Sequence, residues 1–167
     1  MMSPCFRVAC LLFAVSVAAA AGAQSSKELD LDGTGQHQRV NFLGPDNQSV
    51  VAGKVSPVQL RFSIADDFHI NSHTPKSDFL LPTRLLAIDE PGMNTRAVDF
   101  PPGEEYAFSF DPKTKLDVYS GEFTLLAHVT AERGEHTFHA VLRYQACDHA
   151  ACYPPKELPV EVKVQAR

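Results

Sequence analysis

The chain has 167 residues, 15 Lys+Arg against 20 Asp+Glu and a formal net charge of −5, enough for one domain of moderate size. It has no basic run and no aromatic-basic interleaving, which argues against nucleic acid as a partner. Gly-x-Ser-x-Gly, His-Glu-x-x-His and a phosphate-cradling glycine loop are all missing, so no conventional hydrolase or nucleotide site is visible.

The first element is a secretory signal peptide over residues 1–23. Arg7 supplies its positive charge, an apolar stretch runs from Val8 to Ala21, and Ala21-Gly22-Ala23 is a small-residue cleavage site. A membrane-spanning helix would need about 20 apolar residues; an uncleaved anchor is the alternative. Cys10 precedes most of the apolar stretch, a position that does not suit lipid attachment. Cleavage after Ala23 removes Arg7, Cys5 and Cys10, and no second apolar span follows, so no membrane span is expected in the mature chain. Cys147 and Cys152 then remain as a single pair in a compartment where disulfides persist. Residues 24–37, polar and containing Gly33 and Gly35, read as a flexible leader, and residues 38–167 as one domain burying roughly two-thirds of its unfolded surface.

Within that domain the apolar pattern has period two. Val58, Leu60, Phe62 and Ile64 share one face of a predicted strand, with Gln59, Arg61 and Ser63 on the other. The alternation returns in Phe123-Leu125-Ala127-Val129, in Phe138-Ala140-Leu142-Tyr144 and in Val160-Val162-Val164. Turn chemistry separates these runs at Gly44-Pro45-Asp46-Asn47, Glu90-Pro91-Gly92, Pro101-Pro102-Gly103, Ser120-Gly121 and Arg133-Gly134. Pro82, within the apolar stretch from Phe79 to Leu86, places that stretch at a sheet edge or bulge. Many short strands with regular turns predict an all-β antiparallel sandwich.

Cys147-Asp148-His149-Ala150-Ala151-Cys152 lies between two of the predicted strands, at the mouth of a hairpin. A bridge there closes a very short loop, worth roughly 2 kcal/mol in the chain-entropy account against nearly 5 for a hundred-residue loop. It is therefore poorly placed as a staple, and it cannot be the inter-sheet disulfide of an immunoglobulin domain, which packs on a buried Trp; this chain has none. A bridge at an exposed hairpin end is open to attack by another protein's thiolate. The loop offers no helix dipole to lower a thiol pKa, and Asp148 would raise it unless His149 is protonated, so a slow and selective reactant is expected. Pro154 and Pro155, after Tyr153, would hold one side of the loop extended.

Arg143-Tyr144-Gln145-Ala146-Cys147, Cys152-Tyr153-Pro154-Pro155 and Phe68-His69-Ile70-Asn71-Ser72-His73 resemble the periplasmic N-terminal domain of the membrane thiol:disulfide interchange protein DsbD, over roughly residues 38 to 165. The resemblance implies an immunoglobulin-like sandwich and a protein-disulfide reductase activity without a bound cofactor or metal. It implies location in the periplasm. Electrons would come from a thioredoxin-like, membrane-associated donor and pass to oxidised periplasmic proteins such as a disulfide isomerase or a cytochrome c maturation factor. It further implies that Cys152 forms the mixed disulfides and Cys147 resolves them. A cap loop with an aromatic shield would fall at Tyr106–Asp111, where Phe108 or Phe110 would be the shield or, equally, a core residue. The family's domain is fused to a membrane electron carrier and a thioredoxin-like domain; this sequence contains neither, so its reductant is expected to be a separate protein.

His69, Asn71 and His73 alternate and would share one strand face, lining a polar cleft beside the cysteines; the plainer account puts them on a solvated surface. His128, His136 and His139 show no ligand spacing and read as surface residues. Cys147, His149 and Cys152 with His69 could in principle supply a zinc or copper site, but no second Cys-x-x-Cys completes the set. The competing reading of the whole chain is a non-enzymatic secreted sandwich that binds a protein or a metal, its disulfide being structural.

Overall fold

The computed structural model describes residues 38–77, 79–108 and 111–167. The expected signal peptide (1–23), the flexible leader (24–37) and Phe110 lie outside them. Regular structure among the described residues is all strand: β1 (Val40–Gly44), β2 (Asn47–Val50), β3 (Ser56–Ile64), β4 (His69–Asn71), β5 (Arg84–Ile88), β6 (Met93–Asp99), β7 (Glu104–Phe108), β8 (Asp111–Ser120), β9 (Glu122–Ala131), β10 (Gly134–Tyr144), β11 (Ala146–Cys147) and β12 (Lys156–Ala166).

One sheet has the order β1-β3-β9-β6, a second β2-β12-β10-β5 and a third β11-β4-β8-β7. All pairings are antiparallel except β2, which runs parallel to β12. A single cluster of buried side chains draws on β3 and β9 of the first sheet and β10 and β12 of the second, so these two sheets enclose one core. This is the expected all-β, immunoglobulin-like antiparallel sandwich. The third sheet was not foreseen, and it holds the cysteine loop.

Period two explains the layers. Val58, Leu60, Phe62 and Ile64 are buried while Gln59 and Arg61 are exposed. All members of the other three alternating runs are buried too. A register slip of one residue would turn each run out to water. Burial is worth about 1.5–3 kcal/mol per Val, Leu, Ile or Phe side chain, so the sandwich register is strongly specified. Phe42, Phe62, Phe123 and Tyr119 form a continuous aromatic row, with centroids 5.4, 5.1 and 5.1 Å apart. Tyr119 ends it by donating its hydroxyl to Pro101 O at 3.0 Å and accepting from His73 N at 3.2 Å. The row thereby ties the core to the third sheet.

Three local features position the site. Pro82, which has no amide donor to give a ladder, lies outside any strand, and β5, which follows it, is the edge strand of its sheet. Gly103 permits a close approach: a Cβ there would lie 1.4 Å from Asp117 Oδ1 and 3.0 Å from Ser72 Cβ, so any side chain at 103 would displace the Asp117 carboxylate of β8. β10 and β12 pair without interruption from Gly134↔Ala166 to Tyr144↔Lys156, and residues 145–155 therefore emerge from the end of an eleven-pair hairpin.

Candidate functional site

Cys147 and Cys152 are joined by a disulfide, with Cα atoms 4.0 Å apart, and face each other as an antiparallel bridge. The two ends of the bond have unlike surroundings. Cys147 is 0% exposed, on β11 and paired with His69 of β4, whereas Cys152 is exposed in the loop. A sulfur is attacked along the S–S axis by a thiolate that must reach it. Of the two residues, only Cys152 is exposed to solvent.

The loop between the cysteines is braced by Asp148. Its Oδ1 accepts from Ala150 N at 2.7 Å and Ala151 N at 2.8 Å, and its Oδ2 accepts from the Tyr153 hydroxyl at 2.6 Å. Asp148 N donates to Ala151 O, and Tyr153 N closes the base of the loop by donating to Ala146 O. The Tyr153 hydroxyl, followed by the two amides, holds the Asp148 carboxyl down to about 2, with His149 adding a smaller contribution. Besides the electrostatic part the sequence suggested, Asp148 braces the loop.

A pH consequence follows. Because the folded-state pKa is depressed, the stabilisation of the loop by Asp148 is fully present above the ordinary carboxylate value of 3.8 and is lost as pH falls through about 2. Tyr153→Phe removes the largest cause, so the Asp148 carboxyl should titrate closer to 3.8 and the Ala150 and Ala151 amides should exchange faster below pH 4. Carboxyl carbon and amide NMR titrations measure both. An unchanged Asp148 midpoint in Tyr153→Phe would show that the hydroxyl is not the main support.

Tyr153 also packs on Phe68 at 5.9 Å, and the Arg39 guanidinium lies 4.3 Å from the Phe68 ring and 5.7 Å from the Tyr153 ring. Gln145 is the other anchor. Its Oε1 accepts from Asn71 Nδ2 at 3.1 Å, and its Nε2 donates to Tyr153 O at 3.2 Å. Asn71 Nδ2 donates as well to Leu81 O at 3.0 Å. The cysteine loop, β4 and the segment before β5 are thus fastened together through two amide side chains.

His69 and Asn71 are buried, not on a solvated face as the plainer account had it, because Tyr106 and Phe108 pack over the His69 ring and the Asn71 amide is taken up by Leu81 O and the Gln145 side chain. The His69 ring packs 4.1 Å from Tyr106 and 6.1 Å from Phe108, and those two meet edge-on at 5.4 Å. Burial lowers the His69 pKa below 6.5, with the Asp148 charge opposing, which keeps the ring neutral near pH 7. Phe108 therefore lies in the layer over His69, one residue pair from the disulfide. His73 goes elsewhere: it stacks on Phe100 at 4.0 Å and accepts from Arg84 Nη1 at 3.0 Å. His149 is exposed. His128 and His139 are partly exposed and engage Asp99 at 2.7 Å and Glu90 at 3.1 Å.

Among the described residues, no group of three or more His, Cys, Asp or Glu is gathered to hold a metal ion, and the two thiol ligands such a site would need are bonded to each other. Tyr106, Gln145 and Arg39 were not singled out as site residues from the sequence. Tyr106 had a signal, since it is two residues from Phe108 and so shares its strand face. Gln145 bonds Asn71, 74 positions away, and Arg39 lies over both Phe68 and Tyr153, contacts that no local pattern displays.

The family model for the N-terminal region of the thiol:disulfide interchange protein DsbD matches residues 39–163. Among solved structures, the chain is similar to the DsbD N-terminal domain of Neisseria meningitidis in its reduced form, at 23% identity and a TM-score of 0.45, covering 67% of this chain and 80% of that one. It is also similar to a structure of the complex between the DsbD N-terminal and PilB N-terminal domains of the same organism, at 21% identity and a TM-score of 0.45, covering 66% and 77%. No curated protein matches. With most of its length, both cysteines included, under one family model, this chain belongs to the DsbD N-terminal domain family.

Proposed function

We propose that this protein is a periplasmic thiol:disulfide interchange protein that relays reducing equivalents through Cys147 and Cys152. The donor is a thioredoxin-like, membrane-associated protein; the acceptors are oxidised periplasmic proteins such as a disulfide isomerase or a cytochrome c maturation factor. The observation that supports this best is the asymmetry of the bridge, an exposed Cys152 bonded to a fully buried Cys147.

In the loading half-reaction, a donor thiolate attacks Cys152 Sγ, the bond to Cys147 breaks, and the electron pair leaves on Cys147 Sγ. The donor's second thiolate then attacks its own sulfur in the mixed disulfide, leaving this protein as a dithiol and the donor oxidised. In the delivery half-reaction, the Cys152 thiolate attacks an acceptor disulfide, and Cys147 resolves the mixed disulfide to restore the bridge. Two electrons move in each direction and no cofactor is needed. Proximity makes the resolving step intramolecular and fast.

The test is a redox titration of the purified protein, with free thiols alkylated in buffers of defined potential and read as a mass shift. A midpoint well above about −300 mV is expected for an exchangeable pair. A midpoint far below it would make the bridge structural and return the chain to the reading of a secreted binding sandwich.

A further inference from the structure

The residue paired with Cys147 in the strand ladder carries a buried polar atom with no hydrogen bond. His69 is 4% exposed, and its Nε2 has no hydrogen-bond partner among the described residues. Its place in the ladder is directly opposite Cys147. Side chains opposite each other on antiparallel strands point to the same face, with Cβ atoms about 4.5–5.5 Å apart. Tyr106 and Phe108 cover the ring.

A disulfide sulfur is a poor acceptor. A thiolate is a strong one, and Cys147, at 0% exposure, would release its thiolate where water does not solvate it. We infer that His69 is the hydrogen-bond donor that stabilises the Cys147 thiolate released when the bridge opens. This deepens the exchange reading above and rests on it. As a partner's thiolate attacks Cys152 Sγ, the electron pair of the broken S–S bond settles on Cys147 Sγ, and the neutral imidazole N–H turns its bond to that sulfur with no proton transferred. In the reverse direction the same bond holds the Cys147 thiolate in line with Cys152 until it attacks and the partner leaves as thiolate. The nitrogen is unpaired in one redox state and paired in the other.

The ionisable surroundings include both signs, with Arg39 over the Phe68 and Tyr153 rings and Lys76 and Lys115 paired with Glu105. Asp148 adjoins Cys147, Glu104 of β7 accepts from Ser120 of β8 at 2.8 Å, and Asp67 and Glu105 line the same cleft of about 360 Å³ beside His69. No Lys or Arg lines that cleft, and the Arg39 guanidinium lies over the Phe68 and Tyr153 rings; His69 is the side chain paired with Cys147 in the ladder. Burial keeps the ring neutral, so it donates without adding a charge.

The test uses protein labelled with nitrogen-15 in histidine, observed oxidised and again after reduction with a phosphine. The His69 Nε2 resonance is expected to move on reduction, and the Cys147 thiol pKa, followed through its Cβ shift, to rise by about one unit in His69→Phe. That is a tenfold loss of thiolate stabilisation, or about 30 mV. His69→Gln, which keeps a side-chain N–H, should recover most of it. An Nε2 resonance identical in both redox states overturns the inference, as does a Cys147 pKa unchanged in His69→Phe; should that variant fail to fold, the labelled unsubstituted protein decides. The phosphine opens the bridge without a protein partner, so an indifferent His69 in a protein that still exchanges with a thioredoxin-fold probe sinks only this inference, whereas loss of exchange itself sinks the relay.

Discussion

Serine in place of Cys147 is expected to turn the protein into a trap. Cys152, exposed at the loop, keeps its thiol and can still attack a partner disulfide, but the buried sulfur that would release the product is gone. Resolution in the unsubstituted protein is intramolecular, and well-oriented intramolecular reactions have effective concentrations on the order of 10⁵ M or more. Removing that advantage should lower turnover to background while a covalent complex accumulates. Cys152→Ser should also lose turnover but capture nothing, because Cys147 has no path to a partner. A suitable probe is a thioredoxin-fold protein with one reactive cysteine, activated as its thionitrobenzoate disulfide, with products separated on a non-reducing gel. A stable complex with Cys152→Ser and none with Cys147→Ser would reverse the roles assigned here. Equal complexes with both would remove the case for an ordered relay.

The second large effect belongs to the core. Phe62→Ala should destabilise the fold by about 3–5 kcal/mol, the range for truncating a fully buried aromatic. Phe62 is 0% exposed and sits in the middle of the aromatic row, between Phe42 and Phe123. Its loss opens a cavity and also breaks the stack that ends at Tyr119, whose hydroxyl fastens Pro101 and the backbone of His73. A fall in Tm on the order of 15 °C is expected by calorimetry, together with faster exchange of the β4 and β8 amides. A change under 1 kcal/mol would mean that the sheets close over the gap, and the row would then not be what couples the core to the site.

Much of this molecule was legible in the chain because burial in a strand leaves a signature of period two. The four alternating runs marked β3, β9, β10 and β12, and all four bury the predicted face. Pro82 kept its stretch out of a central strand for a simple reason, the missing amide donor. The cysteine loop was legible from spacing alone, since two strands flanking a short polar segment make a hairpin. Its family was legible in the block around Cys147 and Cys152.

Other features had no local signature. Nothing in Phe68-His69-Ile70-Asn71 tells which sheet takes it up, and a three-residue strand is too short for a period to show. β4 pairs with β11 and β8, residues about 75 and 50 positions away, and His69 and Asn71 are buried by Tyr106, Phe108, Leu81 and Gln145, none of them neighbours in sequence. The brace on Asp148 needs the turn to bring two amides and the Tyr153 hydroxyl to one carboxylate.

By itself, then, the sequence determined the β class, the strands of the sandwich core, the hairpin that presents the cysteines and the chemistry their pairing permits, because each follows from alternation, turn residues or adjacency along the chain. Only the tertiary structure decided which sulfur is buried and which is exposed, and which imidazole stands opposite the buried one. Those are matters of long-range strand pairing and solvent exclusion, set by the pairing of β4 with β11 and β8 and by the rings of β7 that cover His69, and not by any residue's neighbours in sequence.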